Sequence, residues 1–346
     1  MPLTIPFVAS LRPSAEHLFK RLTTVKQQEP QLTVGLDLGA TSVKVVALGA
    51  KKVDGRRPVV GQSLVPLEAG QDADASEAIK TAVSNLQIPV VSVNLSVSGQ
   101  WVIMRVLEMP KMKPDEFKQA LPFEAQRYLP FNVQEVVLDG AVLGASGGNK
   151  AWVLIVACKK NLLARRIDWA KRAGLNVDRI DVDALALANA FLETASGEDL
   201  KKTQALIDVG GQLTNLVIIR GGVTYLVRDI PWGGDKLIRN MAEGLGSDPD
   251  AVTQALAQDP PSPEILSALK LSSEALTSEL QLSFDYFENR FNQPPEDILV
   301  TGGVSQSKPF LEGLKAHLTQ AVIPWTPIQE LPTQFAVAYG LALRTD

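Results

Sequence analysis

The chain has 346 residues, enough for about two domains with sizeable cores. With 34 Lys and Arg against 38 Asp and Glu it carries a net charge of −4, which leaves no basic footprint for nucleic acid. Its one cysteine and two histidines argue against a metal site built on those ligands. Aliphatic residues far outnumber aromatics, as in helices packed on sheets, and no apolar run reaches the roughly 18 residues of a membrane span.

Residues 1–30 precede the first strand. The opening MPLTIPFVASLR is apolar but short, carries prolines and lacks a basic start, so it does not read as a signal peptide and the chain reads as cytoplasmic. Between Ser14 and Gln27, Leu18, Leu22 and Val25 share a helical face beside Lys20, Arg21 and Lys26. This reads first as a loosely packed helical extension and second as a membrane-surface contact.

From Leu32 to Leu48 an apolar run broken by Asp37 meets Gly39, a small polar turn and a second apolar run. That pattern predicts a β-hairpin with an acid beside its turn. A carboxylate within an apolar strand costs several kcal/mol, roughly, unless it is paired or opens to ligand and water. Polar turns follow at 51–58 and 68–75, then a helix over Ser76 to Leu86 and a strand over Val90 to Val97.

From Trp101 a strand (WVIMRVLEMP) leads into a helix starting near Pro114, which Pro122 should bend or break. Strands are predicted at Glu135 to Leu143 and Ala151 to Cys158, split by the loop GASGGN, then a helix from Leu162 to Ala173 and a strand from Val177 to Val182. This order reads as a compact unit inserted before the helix Asp183 to Glu193. Cys158, in the apolar run WVLIVAC, reads as a reduced core thiol.

Ala205 to Ile219 repeats the first hairpin element for element, with Asp208, Gly210, Gly211 and Thr214 at its turn. Such a repeat suggests an internally duplicated fold whose halves face each other with both acids at the cleft. Bare glycine backbone in each turn can cradle phosphate oxygens, and the acids can hold Mg²⁺ through its waters. Helices follow at Lys236 to Gly244, Ala251 to Gln258 and Ile265 to Arg290, the last with a broad apolar face of Leu276, Leu280, Leu282, Phe284 and Phe287 that reads as core. Ile298 to Phe310 then runs from a strand through Gly302 and Gly303 into a helix, where a flat ring or a phosphate could approach closely.

Asp37 with Gly39 resembles the first phosphate motif of the actin-like ATPase superfamily of actin, sugar kinases, DnaK and FtsA. Asp208 with Gly210, Gly211 and Thr214 resembles the second, and Gly302 with Gly303 the adenosine motif. The pieces EAQRYLPF (Glu124 to Phe131), YLVRDIPWGGDKLI, SELQLSFDYFENRF and FAVAYGLALR resemble the PilM family, the actin-like proteins of the type IV pilus machinery, over Leu32 to Arg344.

The resemblance implies an α/β actin-like ATPase fold: duplicated ribonuclease H-like halves around a nucleotide cleft, with an inserted α/β subdomain and a small helical subdomain. The expected division is an N-terminal extension at 1–30 and a first half at 31–100, 183–200 and 335–346. The insertion is expected at 101–182, the second half at 201–235 and 296–334, and the helical subdomain at 236–295.

ATP is expected on Asp37, Gly39, Thr41, Ser42, Lys44, Asp208, Gly210, Gly211, Gln212, Thr214, Gly302 and Gly303, with Mg²⁺ held through water by Asp37 and Asp208. Lys44 stands where the superfamily often contacts phosphate. Asp183 occupies the catalytic position usually held by Glu or Gln; its side chain is one methylene shorter, so ATP hydrolysis is expected to be weak or absent. Near the adenosine, Gln254 stands where FtsA-like proteins carry Lys and Glu.

The implied partner is the N-terminal cytoplasmic peptide of a PilN-like inner-membrane protein. It is expected in a groove between the inserted unit and the first half, beside Phe117, Leu121, Phe123 and Tyr128, so that membrane association is indirect. Pilus motor ATPases are further expected partners. The alternative is a small-molecule kinase on the same fold, although no segment suggests a sugar pocket.

Overall fold

A computed structural model describes residues 32–50, 55–67 and 74–345. The N-terminal extension with its Ser14 to Gln27 segment lies outside the described residues, as do parts of the polar loops at 51–58 and 68–75.

The first hairpin is β1 (Thr33–Leu38) and β2 (Ser42–Leu48), antiparallel with Asp37 opposite Lys44. After β3 (Val59–Pro66) and α1 (Ser76–Ser84), β4 (Ser92–Val97) runs parallel to β1. β1 and β4 are buried along nearly their whole length, as strands covered on both faces must be. The strand β3 carries no clear sequence signal, because Val59–Pro66 mixes exposed and buried positions without strict alternation.

Next come β5 (Val102–Pro110), α2 (Pro114–Gln126), β6 (Val136–Gly147), β7 (Lys150–Lys159), α3 (Lys160–Arg172) and β8 (Asn176–Val182). α2 opens on Pro114 with acids in its first turn, and Glu116 accepts from the Lys113 amide at 3.0 Å. It runs unbroken past Pro122. The predicted GASGGN loop shrinks to the two residues Gly148 and Asn149, because β6 and β7 stay paired through Gly147 and Lys150. β5, β7 and β6 form a three-stranded sheet with β7 in the middle.

By sequence order α3 and β8 belong with the inserted unit. β8 instead pairs in parallel with β4 and completes a first five-stranded sheet, β3-β2-β1-β4-β8. The three-stranded sheet is not free-standing either. Along β7, Val153, Ile155 and Ala157 face α2, while Leu154, Val156 and Cys158 point into the main core.

α4 (Asp183–Thr194) leads to the second hairpin, β9 (Thr203–Val209) and β10 (Thr214–Arg220), and then to β11 (Val223–Ile230). α5 (Gly234–Leu245), α6 (Pro249–Leu256) and α7 (Pro263–Phe291) follow, with Ser262 capping α7 by accepting from the Ile265 amide. β12 (Asp297–Thr301), α8 (Lys308–Lys315), β13 (Ala321–Pro324) and α9 (Ala336–Ala342) end the chain. The second sheet is β11-β10-β9-β12-β13, so each sheet places an antiparallel hairpin beside a parallel strand.

α4 buries Ala184 to Ala188, Ala190 and Phe191, which fall on all sides of the helix, as a helix enclosed by other elements requires. Its Phe191 shares a core with Leu206 and Val217 of the second sheet, and its Ala186 packs on Val337 and Leu341 of α9. The second sheet has its own core, closed by α5, α7 and α8 around Trp232, Phe284, Phe287 and Phe310. Leu282 does not join it: at 61 % exposure it faces solvent, because it falls off the stripe of Leu276, Leu280, Phe284 and Phe287.

Candidate functional site

The two hairpin turns meet. Gly39 N–H donates to the Ser42 carbonyl at 3.1 Å and Gly210 N–H donates to the Leu213 carbonyl at 2.9 Å, closing equivalent turns. The carbonyls of Gly210 and Gly211 accept from Gly234 and Asp235 at the start of α5, and Thr214 Oγ1 donates to the Trp232 carbonyl at 2.8 Å. Across the cleft the Gly211 backbone lies against Thr41, so close that a Cβ at 211 would fall 2.4 Å from Thr41 Cγ2. Thr41 and Gln212 are exposed at the rim, whereas Ser42 and Thr214 are buried.

Four charged groups share the space behind these turns. Asp37 is buried and Lys44 Nζ donates to its Oδ2 at 2.9 Å. Burial disfavours the Lys44 cation, but Asp37, with Asp208 and Asp183 beyond it, outweighs this and holds its pKa above the usual value. Burial likewise pushes Asp208 up to about 7, against the pull of Lys44 and with the push of Asp37 and Asp183. Asp183, the first residue of α4, is raised to about 6 by burial and by Asp37, with the hydroxyls of Ser96 and Ser98 pulling the other way.

The third motif joins from below. Gly302 has φ +92° and sits so near Asp208 that a Cβ would lie 2.4 Å from its Oδ1, so only glycine fits there. Gly303 is exposed, with open space where a side chain would stand. A single three-ten turn, Val304–Gln306, separates this pair from α8, which therefore does not start at the glycines as the sequence suggested. Ser305 and Thr333 hydroxyls donate to the Gly302 carbonyl and fix the turn. Gln254 is exposed on α6.

The structure thus brings Asp37, Lys44, Asp183, Asp208, Gly211 and Gly302 to one place. It adds residues that sequence reasoning missed. Asp229, at the end of β11, accepts from Gly99 N–H at 2.7 Å and from Asn215 Nδ2 at 2.8 Å, and burial raises its pKa. Ser96 and Ser98 lie at the C-terminal end of the parallel strand β4, where ligands of such sheets bind. Ser96 Oγ is buried and faces the Asp183 carboxylate. A polar residue closing an apolar strand was the one signal that could have marked them.

Among the described residues no cluster of three or more His, Cys, Asp or Glu is arranged to hold a metal. Asp37 and Asp208 remain as carboxylates on opposite walls. Cys158 is a free, fully buried thiol whose pKa burial pushes up to about 12.

Residues 35–346 match the family described as type IV pilus assembly protein PilM. The chain is 28 % identical over 249 residues to the cell division protein FtsA of Pseudomonas aeruginosa, a match covering 63 % of this chain and 58 % of FtsA, so it spans little more than half of that relative. Among solved structures it is similar to the PilM-PilN type IV pilus biogenesis complex, with a TM-score of 0.79 and 26 % identity over 91 % of this chain and 99 % of the other. It is also similar to a Bacteroides thetaiotaomicron protein described as having the actin-like ATPase fold and unknown function, with a TM-score of 0.50 and 11 % identity over 93 % of this chain and 100 % of the other. The fold is the actin-like ATPase fold.

Proposed function

The chain belongs to the PilM family of type IV pilus assembly proteins, and from that premise we propose that it is a nucleotide-binding scaffold of the pilus inner-membrane complex, docking the cytoplasmic tail of a PilN-like protein. The observation that carries this reading is the likeness, over nearly the whole of both chains, to the PilM-PilN complex. No described helix is long and apolar enough to cross a membrane. In this reading the partner's tail holds the chain at the inner membrane, and pilus motor ATPases are further partners.

The tail would dock on the inserted sheet and α2. Of the four side chains singled out there, Leu121 is buried and Phe117 partly buried in the sheet's own core, whereas Phe123 is 79 % exposed and Tyr128 43 %. Phe123 and Tyr128 are therefore the anchors of the proposed docking face.

ATP would sit where the two hairpin turns and the Gly302–Gly303 turn converge. The backbone amides of the turns at Gly39 to Ser42 and Gly210 to Thr214 would hold phosphate, Lys44 would exchange Asp37 for a phosphate oxygen, and Gly303 would leave room for the adenosine. Mg²⁺, held through water by Asp37 and Asp208, would neutralise phosphate charge. Asp183, held beside the hydroxyls of Ser96 and Ser98, would stand nearest the attacking water, but its short side chain is the reason to expect little or no turnover.

The test is co-expression of the full chain with a PilN-like membrane protein and with the same protein lacking its cytoplasmic tail. The reading expects the chain in the membrane fraction only when the tail is present. Equal recovery with both forms would contradict it.

A further inference from the structure

Asp229 stands near the end of β11 opposite Asn215 of β10, which in turn stands opposite Asp208 of β9. Residues opposite each other on antiparallel strands point to the same face, so Asp208, Asn215 and Asp229 form one polar row across the second sheet. Two strand spacings, about 10 Å, separate the ends of the row. Both oxygens of Asp229 are engaged: Oδ1 accepts from Asn215 Nδ2 at 2.8 Å and Oδ2 from the Gly99 N–H at 2.7 Å. Asp229 therefore does not join Asp208 around a ligand; what it holds is protein.

It holds the turn by which the chain leaves the first half. β4 ends at Val97, and the Gly99 carbonyl accepts from the Val102 N–H at 2.9 Å, where β5 starts. The turn touches two parts of the candidate site. The hydroxyls of Ser96 and Ser98 face Asp183. Gly99 lies so near Leu213 that a Cβ on it would fall 3.3 Å from Leu213 Cδ1, and the Leu213 carbonyl closes the second hairpin turn by accepting from the Gly210 N–H. The bond from Gly99 to Asp229 joins residues 130 apart in sequence and crosses from the first half to the second, as the contact of Thr41 with Gly211 does at the tips of the hairpins.

We propose that Asp229 is a positioning residue of the nucleotide site: by holding the Gly99 amide it seats the turn Ser96 to Gly99 on Leu213, and so sets where Asp183 and the Gly210 to Thr214 turn stand relative to each other. The role rests on the ATP site proposed above. A charged acceptor makes such an amide bond roughly twice as strong as a neutral one. Linkage then runs in both directions: if the bond favours the arrangement that binds ATP, ATP strengthens the bond by the same factor. A carboxylate that only stabilised the fold would show no such reciprocity.

The experiment measures binding of ATP with Mg²⁺ to the full chain by calorimetry, and amide exchange over 96–101 by mass spectrometry. Asp229→Ala should bind ATP at least tenfold more weakly than the parent while its circular dichroism spectrum is unchanged. Asp229→Asn keeps an oxygen for the Gly99 N–H and, with the Asn215 amide turned over, a partner for its own amide. It should recover affinity to within about threefold of the parent, because the bond and not the charge is what counts. In the parent, saturating ATP should slow exchange over 96–101 severalfold; should Asp229→Ala fail to fold, this exchange and the Asn variant decide. An Ala variant that binds as the parent does, an Asn variant at least tenfold weaker than the parent, or exchange that ATP leaves unchanged would overturn the role while the ATP site stands. A parent chain that binds no ATP would overturn the site itself, and the role with it.

Discussion

Gly211 lies directly against Thr41, so the turn of the second hairpin touches the turn of the first across the cleft. Any side chain at 211 must push the two halves apart. Replacing Gly211 by Val should therefore weaken ATP binding at least tenfold in calorimetry while the circular dichroism spectrum stays that of the parent. Adding Thr41→Ser, which removes the Cγ2 that a Cβ would strike, should restore part of the loss. Unchanged affinity in the single variant would show that the turns need not meet for ATP to bind.

Lys44 and Asp37 stand opposite each other in the β1–β2 register and are both largely buried. Lys44→Met would leave the largely buried Asp37 without its cation, a change that destabilises by on the order of 3 kcal/mol. The urea midpoint should drop accordingly, and ATP affinity should drop with it. A variant as stable as the parent would mean that the pair is solvated rather than closed.

Asp208 contributes a pH dependence to stability, beside other raised carboxyls such as Asp183. Its folded-state pKa, about 7, lies above the ordinary 3.8, so between those values the folded chain holds a proton that the unfolded chain has released. Its ionisation destabilises the fold as pH rises from about 4 to about 7. In Asp208→Asn this contribution is absent. In a chelating buffer, the Tm of the variant minus that of the parent should grow across that window and level off above it. A difference that is flat, or that shrinks with pH, would contradict the raised pKa of Asp208.

Asp183 begins α4 beside Asp37 and the hydroxyls of Ser96 and Ser98, yet it is one methylene shorter than the Glu or Gln expected there. Purified protein should turn over ATP far below the enzyme median of roughly 10 s⁻¹. Asp183→Asn should leave ATP affinity within about threefold. Turnover at the median rate or above would show that Asp183 positions water as well as the longer side chains do.

The two hairpins, their acids and the glycine pair were legible because alternation, turn glycines and a repeated pattern are local signals. What escaped was long-range. Nothing in Asn176–Val182 says that it pairs with β4 rather than with the inserted sheet, since a parallel partner is found only across an intervening stretch of chain. Asp229, Ser96 and Ser98 look like ordinary strand ends until the fold brings two of them to Asp183 and one to Gly99. Leu282 stands outside the core that its apolar side chain suggests, because an apolar residue in a long amphipathic helix is core only if it falls on the buried stripe.

Docking of a PilN-like tail is the centre of the account, and peptide binding measures it most directly. A labelled peptide copying the N-terminal cytoplasmic segment of a PilN-like protein should bind the full chain saturably in fluorescence anisotropy. Affinity should fall at least tenfold in a Phe123→Ala/Tyr128→Ala variant that still binds ATP as the parent does. A peptide that does not bind, or one that binds the variant as tightly as the parent, would contradict docking on α2.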